Sequence, residues 1–119
     1  MNVRLPLCPS VNKYWRSIVV GGSVRVLLSR AGRKYKDDAQ WQMVAQGINR
    51  QAMIEGPCVV NATVYFPNKR GDLDNRIKPT LDVIQGWCIP NDKNILALTF
   101  ARDVDKDNPR IELEVLEAI

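Results

Sequence analysis

Cys58-Val-Val-Asn-Ala-Thr-Val-Tyr-Phe66, Pro67-Asn-Lys-Arg-Gly71 and Asp72-Leu-Asp-Asn-Arg-Ile-Lys78 follow one another without a break. The first run is a strand signal. Val60, Ala62, Val64 and Phe66 fall at every second position, which puts them on one face of a sheet. The second run is a basic, turn-rich loop. The third leads into a helix expected from about Asn75 to Gln85, with Ile77, Leu81, Ile84 and then Cys88 as its apolar stripe. Pro79 falls close to the first turn of that helix, where proline is tolerated. Gly86 is its stop signal.

The flanking sequence extends this strand–loop–helix unit in both directions. Val3, Leu5 and Leu7 alternate as a short first strand, and residues 9–16 read as a loop. Two β-rich runs, Ile18 to Val20 and Ser23 to Leu28, surround Gly21-Gly22 and predict a hairpin, because both glycines can take positive φ. Ser29 is the expected N-cap of a helix from Arg30 to Glu55, its core stripe being Trp41, Val44, Ala45, Ile48 and Ala52, with Gly56-Pro57 ending it. Two terminal strands are expected at Ile95 to Arg102 and Arg110 to Leu116, the second with Ile111, Leu113 and Val115 inward. The order β-ββ-α-β-α-β-β predicts an α+β fold. It is a single domain over residues 1–119, a mixed β-sheet with two main helices on one side.

Composition narrows the chemistry. The chain has 119 residues, a net charge of +4 and no histidine. Without histidine, Ser-His-Asp and Cys-His catalysis and most zinc sites are excluded. Cys8, Cys58 and Cys88 are odd in number and form no C-x-x-C pair, so reduced thiols are expected. No apolar run approaches the roughly 20 residues of a membrane span, and the N-terminus has no apolar core of a signal peptide. Cations gather in the first two-thirds of the chain; the last third is closer to neutral. That distribution fits a nucleic-acid binder.

Asp72 and Asp74, set two apart after the basic loop Asn68-Lys69-Arg70, are the candidate metal carboxylates. Clustered acids in a cationic surround outline a site that holds a divalent ion against a polyanion. In an extended segment the two carboxylates share a side about 6.5–7 Å apart. The competing reading is that one of them caps the following helix. Lys78, four residues after Asp74 and four before Asp82, either forms an i,i+4 salt-bridge ladder or offsets charge at a scissile phosphate. Asp92 follows a Pro-Asn turn. Tyr14, Trp15 and Arg16 either meet DNA or anchor the core. Asp103-Val-Asp-Lys-Asp-Asn108 partly imitates a calcium loop, but lacks the glycine and the flanking helices, and reads as a solvated hairpin loop.

The block Asp72-Leu-Asp-Asn-Arg-Ile-Lys-Pro-Thr-Leu-Asp82, with Gly86 and Asn91-Asp92, resembles the RusA family of Holliday junction resolvases. The segment Pro9-Ser-Val-Asn-Lys-Tyr-Trp-Arg16 matches more loosely. The resemblance implies a RusA-like, Mg²⁺-dependent endodeoxyribonuclease, with Mn²⁺ as an alternative ion. It implies a homodimer acting on four-way junctions and related branched DNA in recombination and repair, cytoplasmic, and bacterial or phage-encoded. Asp72, Asp74 and Asp92 are then the metal-binding catalytic carboxylates and Lys78 the catalytic lysine. Asn12, Lys13, Tyr14, Arg16, Lys69, Arg70 and Arg76 are the expected DNA contacts. The family pattern carries a second acid in some members where this chain has Asn91, and the spacing from Gly86 to Asp92 is about one residue short of some relatives. A non-cleaving branched-DNA-binding protein and a broader flap or fork nuclease are the alternatives.

Overall fold

The structure, a computed structural model, describes residues 1–118. Its elements are β1 (Asn2–Pro6), α1 (Val11–Tyr14), β2 (Trp15–Val20), β3 (Ser23–Leu28), α2 (Arg30–Ala45), β4 (Cys58–Phe66), α3 (Ile77–Ile84), β5 (Ile95–Val104) and β6 (Arg110–Glu117). The order is the expected one, apart from the single helical turn α1 where a loop was predicted. It is an α+β fold built on a mixed sheet.

β4 is buried at every second residue from Cys58 to Phe66. It pairs with β6 on one side and runs parallel to β5 on the other, giving the order β1-β6-β4-β5. Val3, Leu5, Val60, Ala62, Val64, Ile111, Leu113 and Val115 share one face of that sheet and form the core with Tyr35, Ala39 and Met43 of α2 and Val83 and Ile84 of α3. The reverse face carries Asn61, Thr63, Glu112 and Glu114, none of them buried. β2 and β3 form a separate two-stranded ribbon. Its turn glycines take φ of +57° and +81°, the positive values a two-residue hairpin turn demands.

Three expectations need correction. First, α2 ends at Ala45 and not near Glu55. Gly47 takes φ of +82°, its N–H donates to the Val44 carbonyl, and the Ile48 N–H donates to the Met43 carbonyl. That paired arrangement closes a helix through a left-handed glycine, and Gly47 was the overlooked stop signal.

Second, the buried stripe of α2 is Gly32, Tyr35, Ala39 and Met43, and Trp41 is 74% exposed. Two residues along a helix turn the direction by about 200°, so Trp41 stands opposite Ala39. The face is set by close approach at one end: a Cβ on Gly32 would sit 2.2 Å from the Tyr14 carbonyl oxygen. The Tyr35 hydroxyl also donates to the Pro6 carbonyl at 2.6 Å.

Third, β5 and β6 are not paired with each other, so residues 105–109 do not close a hairpin. They cross the end of β4, where the Asp105 N–H donates to the Phe66 carbonyl at 2.8 Å. Asp105 then caps the turn by accepting from the Asp107 and Asn108 amides and pairing with Arg110 at 2.7 Å. Asp105 is thereby committed to the turn, and among the described residues no three acidic side chains stand together to hold a calcium ion.

Candidate active site

β4 delivers the chain into the basic loop, and Phe66 at its end is the anchor. Gly71 takes φ of +94°, and a Cβ there would lie 3.0 Å from the Phe66 ring, so only glycine lets the loop fold back over it. Arg102 of β5 holds the loop from the other side. Its guanidinium donates to the carbonyls of Gly71 (3.0 Å), Lys69 (3.2 Å) and Arg70 (3.4 Å), and it stacks 4.6 Å from the Phe66 ring centre. Sequence reasoning missed this residue. It is some 30 positions away, and only the parallel pairing that sets Val64 opposite Arg102 brings it to the loop.

Arg76 approaches the same ring at 5.4 Å and donates to the Cys8 carbonyl. It was expected on a DNA surface. Its Nε is buried without a partner among the described residues, and its bond to the Cys8 carbonyl ties the N-terminal segment to the loop. Cys8 is buried beside it, and burial raises its thiol pKa despite the opposing Thr80 hydroxyl and Arg76 charge.

Asp72 and Asp74 are exposed where the loop enters α3. Leu73 between them has helical angles (φ −60°, ψ −42°), so the segment is not extended as predicted. The 3₁₀ turn Asp74–Arg76 precedes α3 and draws Leu73 into it, while Leu73 still packs against the core. No side chain caps either that turn or α3, so the capping reading is not realised. Asp72 accepts a long 3.4 Å bond from Asn75, and neither aspartate joins an ion pair among the described residues.

Lys78 is exposed on the first turn of α3, and the expected ladder is absent: it pairs with neither Asp74 nor Asp82 among the described residues. Asp82 is held elsewhere. It accepts from the Tyr14 hydroxyl at 2.5 Å and lies 3.6 Å from the Lys36 ammonium. Burial, and then the Asp82 carboxylate, raise the Tyr14 pKa well above the ordinary phenol value. Tyr14 is fully buried, so its expected DNA contact gives way to the core-anchoring reading. Asn12, Lys13 and Arg16 around it are exposed. Lys78 opens onto a groove of about 640 Å³ shared with Val11, Asn12, Trp15, Ser17 and Val26.

Asp92 is exposed in a second 3₁₀ turn, Asp92–Asn94. Its N–H donates to the Gln85 side chain at 3.3 Å, and it shares a hollow with Leu81, Leu96 and Leu98. Leu81 and Gln85 lie at the later end of α3, whose eight residues span about 12 Å, and Leu96 and Leu98 belong to β5. Asp72 and Asp74 lie before its start. Among the described residues no three acidic or thiol side chains stand close enough to hold one metal ion together. The donor chemistry nonetheless suits a hard divalent cation: exposed carboxylates that join no ion pair among the described residues. Asp72 and Asp74 share the loop, and Asp92 stands on a separate turn. A concavity of about 830 Å³ lies on the reverse face of the sheet around Asn61, Thr63 and Glu112 and holds none of these residues. A phosphate backbone is met by exposed charge and needs no deep cavity.

We found no curated protein that matches the chain. A protein-family model, described as endodeoxyribonuclease RusA, matches residues 5–116. The match spans both aspartates, Lys78, Asp92, all of β4 and β5, β6 as far as Leu116 and the last two residues of β1. On that extent, the chain belongs to the RusA family of endodeoxyribonucleases, which implies Holliday junction resolvase activity.

Proposed function

We propose that this protein is a Mg²⁺-dependent, structure-selective endodeoxyribonuclease that cuts four-way junctions through Asp72, Asp74, Asp92 and Lys78. The observation that carries the reading is the set of exposed, unpaired groups where the basic loop meets α3, in a chain of a DNA-nuclease family. Asp72 and Asp74 supply hard oxygen donors, and Asp92 is the proposed third. A divalent ion held there would neutralise phosphate charge and make water a better nucleophile at neutral pH. Lys78, which joins no ion pair among the described residues, offsets charge that develops on the phosphate or the leaving oxygen. Lys69 and Arg70 position the flanking phosphates without reading sequence.

The proposed partner is a second copy of the chain, working in the cytoplasm of a bacterium or phage-infected cell. A four-way junction has near two-fold symmetry and needs two cuts, which a C2 dimer supplies. The sheet edges support this. On β1 the outward N–H and C=O of Arg4 are both taken by the Gln46 side chain at 2.6 Å. β5 pairs only with β4, and Leu96 (68% exposed) and Leu98 lie uncovered beside Asp92. An apolar free edge is a template for a second strand.

The experiment is incubation with a labelled mobile four-way junction, with Mg²⁺ or with EDTA. Symmetric nicks that need the ion are expected. Asp72→Asn, Asp74→Asn and Asp92→Asn should each abolish them and retain binding, since a lost carboxylate reduces repulsion toward phosphate. Equal binding with no cut under either condition would make the protein an architectural binder. Normal cutting by Asp92→Asn would place the third donor elsewhere.

A further inference from the structure

The β2–β3 ribbon projects with both faces largely bare. Val19 is 72% and Val24 69% exposed, and Val26 is exposed as well. The register sets Val19 opposite Val24, Ser17 opposite Val26 and Trp15 opposite Leu28, so these six share one face. Arg16, Ile18, Arg25 and Leu27 lie on the other. A lone two-stranded ribbon is marginal in water, and a contiguous apolar face on one marks a contact surface. Two features say what it contacts. The valine face runs without interruption into the groove that Lys78 lines, through Ser17 and Val26. The ribbon also contains no acid: the first acidic residue of the chain is Asp37, by which point eight Lys and Arg have passed.

We propose that this ribbon is a branch-point pin. Its valine face packs on base surfaces laid open where the arms of the junction part, and Arg16 and Arg25 on the reverse hold phosphates of the adjoining strand. The inference rests on the reading of the chain as a branched-DNA nuclease. A second copy is the poorer occupant, because the valine face opens through Ser17 and Val26 onto the groove that Lys78 lines, where the proposed cut lies. In intact duplex the base faces are stacked and closed; at a branch they are apolar and available. The pin therefore favours junctions over duplex, beside the lysine at the proposed cut.

The test uses the full chain with Val19→Thr, Val24→Thr and Val26→Thr combined. Threonine keeps the β-branched shape and strand preference while removing the apolar contact. The junction carries 2-aminopurine at the branch, and light scattering follows the oligomeric state. Wild type should raise the fluorescence on binding. The triple variant should lose that rise and bind the junction about tenfold more weakly, with duplex affinity unchanged, as expected for lost base contacts. Arg16→Ala with Arg25→Ala should weaken both DNAs and flatten the slope of log K against log salt by about two. An unchanged junction preference in the valine variant overturns the pin while leaving the nuclease reading intact. A fall from dimer to monomer overturns it in favour of a second copy. A wild type that binds junction and duplex alike overturns the pin, whereas a wild type that fails to cut the junction with Mg²⁺ removes the nuclease reading on which the pin rests.

Discussion

At the scale of single residues, Lys78 and Tyr14 exchange the roles that spacing allowed them. Lys78 has carboxylates four positions either side, yet Asp82 is claimed by Tyr14 and Lys36. Lys78→Ala should therefore leave the folding stability, read by denaturant unfolding, within about ±0.5 kcal/mol, as for an ordinary surface change. In a single-turnover cleavage assay it should lose about 2–4 kcal/mol of transition-state stabilisation, two to three decades in rate. A loss under threefold would remove it from the chemistry. Tyr14→Phe deletes a donor to a carboxylate from a buried position, and should cost about 1–2 kcal/mol at neutral pH by denaturant unfolding. The Tyr14 pKa is raised in the fold, so its contribution is complete below the unfolded phenol value near 10 and declines as pH climbs above it. The gap between wild type and Tyr14→Phe should narrow above about pH 10. A constant gap at higher pH would mean that the hydroxyl is not what Asp82 stabilises.

At the scale of elements, the active loop is shaped by a strand outside it. Arg102 donates to three consecutive loop carbonyls, and no local signal in residues 67–74 names it. Arg102→Met keeps much of the stem but releases those carbonyls and the stacking on Phe66. Hydrogen exchange across residues 68–73 should quicken. The cleavage rate should fall at least about tenfold through lost positioning, with junction affinity nearly unchanged. Arg102→Lys should rescue little, because an ammonium cannot span three acceptors as a guanidinium fork does. Equal losses of affinity and rate would instead give Arg102 a direct part in DNA contact.

At the scale of the whole molecule, the two edges of the sheet differ. β1 is sealed by Gln46; β5 is open and apolar. Leu98→Asp adds a charge to that free edge without disturbing a buried residue. If β5 is the dimer contact, light scattering should show monomers at concentrations where wild type is dimeric, and paired cuts should become single nicks. Dimers that persist would move the interface away from β5.

The sequence by itself determined the order of elements, the β4 and β6 core faces, the hairpin turn and the Ser29 cap, because each is written in spacing or turn chemistry within a few residues. It also carried the family, through the compact block from Asp72 to Asp92. It misjudged the inner face of α2, since Trp41 and Val44 kept helical spacing while the close approach at Gly32 turned another face inward. Only the tertiary structure decided that β6 inserts beside β4 and leaves β5 at the edge, that Arg102 clamps the loop, and that Asp82 answers to Tyr14 and leaves Lys78 free. Those outcomes depend on which distant segments meet. Local periodicity says which face of an element is apolar; it does not say what that face will be pressed against.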